Sequence, residues 1–544
     1  MSVLGSILRP ARTLVALSTL AGVVSGVSSV ALIGLVRAGV GGEGSLADPG
    51  RLAGAFAGLC LLAASTQLLA QGATIRLAHG ASRDLAIRVC RQVLHLPLER
   101  FEGVDHAKLL AVLTEDIGVV ANALAGFPLI TLNSAILVIC LGYVGWTAPM
   151  VMVSGVAFAA VAGAMHHLTS TRGVDQLRAA RGRQDSLVAH YRTLIGGFRE
   201  LKQHRPRREA FLGEALVAEA GAVRDRMVGG LTSFALAAAW GQLAFFGFVG
   251  FVVFGLPRFV AIPSNVLAGS VMVLLYLLVP LEVLLFWGSN LARARASLAR
   301  IDALMPSLDH DVPISESATA PLAFADSLRL SGVGYAYRAT EERDGFTLGP
   351  VDLAIRAGEV VFVAGGNGSG KTTLMKLLAG LYEPTSGRIL LDGRPVGPDD
   401  LEAYRQLFSV IFADGHLFRE VRGVDPDALL ERSTGLLARL GLDGVVRFDG
   451  EAFSTVDLSQ GQRRRLALLT ACLEARPICL FDEWAANQDP SFKKVFYQEI
   501  LPELRASGKT LVVISHDDEY LDVADRVVRL SGGRIVEAAL PALA

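Results

Sequence analysis

Residues 358–379 read GEVVFVAGGNGSGKTTLMKLLA. The apolar run 360–364 has the composition of a buried strand, the glycines that follow form a loop, and Thr372 opens a helical stretch. Gly365-x-x-x-x-Gly370-Lys371-Thr372 is therefore a phosphate-binding loop in its expected strand, loop and helix setting. Backbone N–H groups of Gly365, Gly366, Asn367, Gly368, Ser369, Gly370, Lys371, Thr372 and Thr373, gathered at a helix N-terminus, are positioned to surround phosphates. Lys371 adds positive charge at the terminal phosphates. The Thr372 hydroxyl is the natural inner ligand for Mg²⁺, a hard cation that takes oxygen donors.

Two later runs complete an ATP-hydrolysing constellation. ICLFDE, 478–483, is a second buried strand ending in two acids. Asp482 is expected to hold the metal's water shell, and Glu483 to orient or deprotonate the attacking water. LVVISH, 511–516, is a third such strand and delivers His516 beside the terminal phosphate. The catalytic candidates are Lys371, Glu483 and His516, and the expected cofactors are ATP and Mg²⁺.

Upstream, the composition changes. The 544 residues are 52% hydrophobic and 19% charged, with mean hydropathy +0.45, far more apolar than an ordinary soluble protein. Apolar stretches near 13–37, 53–75, 125–146, 149–167, 230–256 and 263–288 can each cross a bilayer, for which roughly 20 residues suffice. Arg9 and Arg12 ahead of the first stretch have the layout of a secretory signal, but the run from Leu14 to Val36 is long enough to span and is followed by more such runs. It is a first membrane helix. The connections 80–124 and 168–229 are long. The second carries twelve Lys and Arg residues between Arg172 and Arg226, and the opposite side little beyond Arg51 and Arg258. By the positive-inside rule, both long connections and both termini face the cytoplasm. A net charge of −1 gives no footing for nucleic acid.

Glu282, after Pro280 in VPLEVLLFW, is the sharpest polar residue in the spans. It is a candidate for the substrate cavity, with an internal salt bridge or a place near the cytoplasmic end of its helix as alternatives. His166 and His167, being neighbours, point apart on a helix and form no metal site. Cys60, Cys90, Cys140, Cys472 and Cys479 share no ligand or redox spacing and are expected as packing residues.

LSQGQ, residues 458–462, resembles the signature of the ATP-binding-cassette (ABC) family, and the likeness covers about 330–535 in the order aromatic, phosphate loop, signature, acid pair, histidine. The resemblance implies that Tyr337 stacks on adenine, a packing aromatic being the alternative. It implies that Ser459, Gly461 and Gln462 contact the terminal phosphate bound by a second copy, and that Asp489 sits at that interface. It implies a six-span α-helical transmembrane domain (1–303), a linker (304–327) and an α/β phosphate-loop ATPase domain (328–544). Where the family presents a coupling glutamine this chain has Ala413; Asp414 or His416 could substitute, or be ordinary loop residues. Gln460 stands where glycine is commonest in the signature.

DEWAANQDPSFKKVFYQEILPELRASGKT, the basic LSQGQRRRLAL, and upstream LPLERFEGVDHAKLLAVLTEDI and HYRTLIGGFRELKQ resemble bacterial cyclic-peptide and siderophore-peptide exporters. That likeness implies a multi-pass half-transporter working as a homodimer in the bacterial inner membrane, moving a small peptide or peptide siderophore precursor. Leader cleavage is not expected, as no peptidase-like extension precedes the first span. Mechanical contacts with the ATPase domain are expected near Thr114–Ile117 and Leu194–Glu200. A lipid or drug exporter shares the architecture, and a membrane-anchored ATPase acting as a sensor or immunity protein is the reading from another class.

Overall fold

The computed structural model describes residues 12–40, 49–308, 322–337, 345–422 and 426–539. Arg9 and most of the linker expected at 304–327 lie outside them. The chain divides into two compact units, Met1–Arg91 with Asp105–Pro306, and Gln92–Val104 with Ser307–Ala544.

In the first unit the long helices are α1 (Arg12–Val40) and α2 (Pro49–His95), followed, after a short helix α3 (Leu98–Glu102) that belongs to the second unit, by α4 (Phe127–Thr147), α5 (Pro149–Gly196), α6 (Ala218–Gly250) and α7 (Ser264–Leu308). Among the described residues six helical stretches are long and apolar enough to cross a membrane. Stretches 80–124 and 168–229 differ from the expectation of long connections, because much of each is helix continued beyond the apolar span. α2 runs on to His95 and α5 to Gly196. A helix needs no apolar face to persist where no proline interrupts it, and the arginine-rich continuation of α5 is such a run.

Close approach of α5 and α6 rests on glycine: a Cβ at Gly173 would sit 3.1 Å from the carbonyl oxygen of Gly230. Ile136, Cys140 and Val144 of α4, Val151 of α5, Phe248 of α6 and Val273, Leu274 and Leu277 of α7 form a buried cluster. A second fixed point is polar. Asp116, 3% exposed, accepts from Arg300 Nε at 3.1 and 3.2 Å, and Arg300 Nη2 also donates to it and to Ser297 Oγ.

The second unit holds β1 (Ser327–Ala336), β2 (Thr347–Arg356), β3 (Val360–Gly365), α8 (Lys371–Leu378), β4 (Ser386–Leu391), β5 (Arg394–Pro395), β6 (Phe408–Ile411), α9 (Pro426–Arg439), α10 (Gln460–Glu474), β7 (Ile478–Asp482), β8 (Thr510–Ile514), β9 (Arg526–Ser531) and β10 (Arg534–Ala539). β2-β1-β4-β5 make an antiparallel sheet. The other sheet has the order β10-β9-β3-β8-β7-β6, parallel throughout except for β10 at its edge. β7 and β8 are buried at every position, as the continuous apolar composition of a two-sided parallel strand requires. Putting β3, β8 and β7 side by side carries the ends of the three sequence runs to one edge of the sheet.

Candidate functional site

β3 turns into α8 through the glycine loop. Gly370 has φ 102°, and a Cβ there would meet Leu348 Cδ1 at 2.9 Å and Phe346 Cζ at 3.0 Å, so both backbone and space demand glycine. Lys371, 6% exposed, folds back over the loop and donates to the carbonyl oxygens of Gly365 at 2.9 Å and Gly366 at 3.1 Å. The Ser369 hydroxyl is buried without a hydrogen-bond partner among the described residues. A buried donor left unmatched inside a cradle of backbone N–H groups fits an anionic ligand.

Beside the loop, Thr372 Oγ1 donates to Asp482 Oδ2 at 3.2 Å. Asp482 is 2% exposed and no described cation pairs with it; burial above all, partly offset by the Thr372 bond, holds its carboxyl above the usual range. A hydroxyl and a buried carboxylate facing each other are hard oxygen donors, and they fit Mg²⁺. Asp414, exposed on the loop after β6, adds repulsion at Asp482. Ala413 is exposed beside it.

Glu483 leaves β7 in a left-handed conformation, φ 49° and ψ 35°. Its Oε1 lies 3.1 Å from His516 Nε2 and 4.0 Å from Lys371 Nζ. The structure thus brings Lys371, Thr372, Asp482, Glu483 and His516 into one cluster. Tyr337, half-buried, is tied down by Thr373 Oγ1 at 3.1 Å and by an edge-on contact with Tyr335 whose ring centroids are 5.0 Å apart.

Ser459, Gly461, Gln462 and Asp489 stand elsewhere in the unit. Ser459 and Gln462 form a reciprocal capping box at the start of α10, with Ser459 N–H donating to Gln462 Oε1 at 3.1 Å. Among the described residues, no hydrogen bond or ion pair joins Ser459 to the phosphate loop of its own chain. Gln488 Nε2 donates to the Gly461 carbonyl oxygen at 3.0 Å, and Asp489 caps the next helix by accepting from Phe492 N–H at 3.0 Å. Ser491 and that N–H hold the Asp489 carboxyl below the usual range.

Glu282 is exposed on α7 and has no ion-pair partner among the described residues. It lies about 27 Å along the helix from Ser264, close to the full hydrocarbon thickness. The internal salt bridge considered from the sequence is absent among the described residues. Of the cysteines, Cys140 and Cys479 are buried and Cys90 is exposed, against the expectation of packing for all five. Burial pushes the Cys479 thiol up to about 12 and the Cys472 thiol up to about 11, as inert packing residues require.

Sequence reading missed the α3 segment. Gln92–Val104 interrupts the membrane half in chain order yet belongs to the compact unit of the ATPase sheet. Leu98 packs on that unit's core, and Glu102 accepts from Tyr382 OH at 2.6 Å and Lys376 Nζ at 2.8 Å. Thr114–Ile117 belongs to the first unit, in a π-helical turn and the start of the helix after it, with Asp116 engaged by Arg300. The available signal was Pro97 and Gly103 framing LERFE, a short helix isolated by breakers.

Two family models match: ABC transporter over residues 348–486 and ABC transporter transmembrane region over 13–202. The ATP-binding protein SyrD of Pseudomonas syringae pv. syringae is 34% identical over 95% of this chain and 93% of its own. The mycobactin import ATP-binding/permease protein IrtB of Mycolicibacterium thermoresistibile is 31% identical over 60% of this chain and 56% of its own. The probable syringafactin export ATP-binding/permease protein SyfD of P. syringae pv. syringae is 34% identical over 38% and 33%. A solved bacterial Atm1-family ABC exporter with ATP bound superposes with TM-score 0.70 at 19% identity, covering 98% of this chain and 96% of that one, which shows a shared fold. With membrane and ATPase parts matched separately and one relative matched almost end to end, the chain belongs to the ABC transporter family, as an exporter-type half-transporter that couples ATP hydrolysis to transport across a membrane.

Proposed function

We propose that this half-transporter exports a peptide-type substrate, a cyclic or non-ribosomal peptide or a peptide siderophore precursor, from the bacterial cytoplasm. It works as a homodimer in the inner membrane, with both termini cytoplasmic. The observation that carries the ATP-driven part is the cluster in which Glu483 Oε1 stands 3.1 Å from His516 Nε2, beside Lys371 and the Thr372–Asp482 pair. Glu483 takes a proton from the attacking water, and His516 holds that carboxylate in place. Lys371 exchanges its two carbonyl partners for the terminal phosphates. Thr372 and Asp482 would hold Mg²⁺, whose chemistry is to offset charge on the phosphate oxygens.

Ser459, Gly461 and Gln462 head α10 apart from their own loop, which supports their serving the nucleotide of a second copy, with Asp489 beside that interface. Tyr337 carries the adenine face. Peptide cargo is supported by the family resemblance of DEWAANQDP and by the syringafactin and mycobactin in the relatives' names. Glu282 is the residue of the spans assigned to substrate contact, supported by its exposure and by the lack of an ion-pair partner among the described residues. A lipid cargo is the second reading, since an ATP-dependent lipid A-core flippase of Burkholderia orbicola is 32% identical over 39% of this chain.

The test uses inside-out vesicles. ATP-dependent accumulation of a peptide, abolished by Glu483→Gln, supports the proposal. ATPase activity with no accumulation of any tested peptide overturns it in favour of a non-transporting ATPase, and accumulation of labelled lipid alone favours the second reading.

A further inference from the structure

One guanidinium joins three backbone carbonyls from two separate stretches of the ATPase sequence. Arg464, on α10, donates through Nη1 to the carbonyl oxygens of Glu483 and of Trp484, the latter at 3.0 Å, and Nη2 reaches the carbonyl oxygen of Ala413 at 3.5 Å. Trp484 returns the contact. Its indole Nε1–H donates to the Arg464 carbonyl oxygen at 2.7 Å, and its ring, 1% exposed, lies 4.2 Å from that of Phe496. Both ends of Arg464, backbone and guanidinium, are therefore pinned to the turn that follows β7.

That turn needs holding. Glu483 is a non-glycine residue with φ 49°, a conformation that crowds Cβ against the carbonyl and persists only where neighbours impose it. The left-handed turn is what aims its carboxylate, with Oε1 3.1 Å from His516 Nε2 and 4.0 Å from Lys371 Nζ. Arg464 grips the carbonyl of the same residue, so it opposes rotation of the Glu483 peptide out of this geometry.

The third carbonyl adds a connection. Ala413 has no polar side-chain atom, and its carbonyl oxygen is the handle it offers. The loop around it, 412–420, lines a cavity of about 1120 Å³ together with Gln460, Arg463 and Arg464 itself. Movement of that loop, or filling of that cavity, pulls on the same guanidinium that steadies Glu483.

We propose that Arg464 is a positioning residue for ATP hydrolysis: it holds Glu483 in its left-handed turn and makes that hold depend on where the Ala413 loop sits. The proposal rests on Glu483 being the residue that activates water. Among the described residues no hydrogen bond joins the Arg464 guanidinium to the phosphate loop; its bonds go to the turn that carries Glu483, so its loss is expected to act on turnover, since a small displacement of a reacting group costs rate steeply.

The test measures steady-state ATPase of the full-length protein in nanodiscs. Arg464→Ala is expected to lower kcat about tenfold or more while KM for ATP stays within about twofold. Arg464→Lys, which keeps charge and stem but cannot bridge carbonyls as a planar fork does, should recover part of the loss. In a Glu483→Gln background the residual turnover should be indifferent to Arg464→Ala, because the residue it positions is already disabled. A kcat within twofold of wild type in both Arg464 variants overturns the proposal. So does a loss in the Glu483→Gln background as large as in wild type, or a rise in KM with kcat unchanged. Should Arg464→Ala fail to fold, Arg464→Lys and its cycle with Glu483→Gln decide in the same terms. Wild-type turnover in Glu483→Gln alone would defeat the underlying reading of Glu483 instead, so the two failures are distinguishable.

Discussion

Replacing Glu102 by alanine should release the α3 segment from the ATPase unit by an amount that can be worked out. Glu102 Oε2 accepts from Tyr382 OH at 2.6 Å, and burial, followed by this bond, pushes the Tyr382 phenol well above its usual range. The phenol therefore remains the donor at every working pH. A hydrogen bond to a charged acceptor contributes about 1.5 kcal/mol. Lys376 Nζ pairs with Oε1 at 2.8 Å, but the two side chains are 19% and 41% exposed, which discounts the pair to about 0.5 kcal/mol. Together these make about 2 kcal/mol, or about 30-fold in a local opening equilibrium.

Hydrogen exchange in nanodiscs reads that equilibrium directly. The N–H groups of Arg100, Phe101, Gly103 and Val104 donate to carbonyls of Pro97, Pro97, Arg100 and Phe101, so they are protected while the turn is intact. In Glu102→Ala they should exchange about 30-fold faster, and in Tyr382→Phe about tenfold faster, with the double variant no worse than Glu102→Ala alone. ATPase activity should survive while peptide accumulated per ATP falls, because the segment joins two membrane helices by chain connectivity and sits on the ATPase core through Leu98. Exchange unchanged within about threefold would refute the assignment of α3 as an anchored element.

Coexpressing Lys371→Ala with Ser459→Ala, each inactive alone, should restore roughly a quarter of wild-type ATPase if sites are shared between copies, since about half of the dimers are mixed and each mixed dimer rebuilds one intact site of two; no recovery would mean each chain serves its own nucleotide. Asp482→Asn should stabilise the metal-free protein by about 1 kcal/mol at neutral pH while abolishing Mg²⁺-dependent nucleotide binding. Burial raises the Asp482 pKa in the folded state, so its contribution to stability is fully present below the ordinary 3.8 and is lost as pH rises through the folded value. Denaturation against pH without Mg²⁺ should show this loss in wild type and not in Asp482→Asn. Arg300→Ala removes the partner of the buried Asp116 carboxylate; with the Arg300 side chain 60% exposed the cost is discounted to about 1 kcal/mol, seen as a lower Tm in detergent and largely recovered by adding Asp116→Asn.

The sequence made the ATP cluster legible because each member ends or follows an apolar strand, Lys371 and Thr372 by way of the glycine loop, and strands β3, β7 and β8 need only be adjacent and parallel for the residues beyond their C-terminal ends to meet. The spans were legible for a similar reason, composition over about 20 residues being a local property. What stayed hidden depends on partners far along the chain. Glu102 and Tyr382 are 280 residues apart, and nothing in LERFE names a tyrosine as its neighbour.

The arginines of LSQGQRRRLAL show the limit most sharply. As a run they look like one basic face, yet successive residues on a helix point about 100° apart. Arg463 is exposed; Arg464 turns to the Glu483 carbonyl; Arg465 donates to the Leu440 carbonyl oxygen at 3.0 Å with its guanidinium 4.1 Å over the ring of Phe492. Three identical side chains thus face solvent, the catalytic turn and the α9 end of the core. Helical spacing alone says that their surroundings differ. Which of them meets Glu483 is decided by the packing of α10 against the turn after β7, where Trp484 Nε1–H fastens to the Arg464 carbonyl oxygen and so sets that residue's guanidinium beside the Glu483 carbonyl.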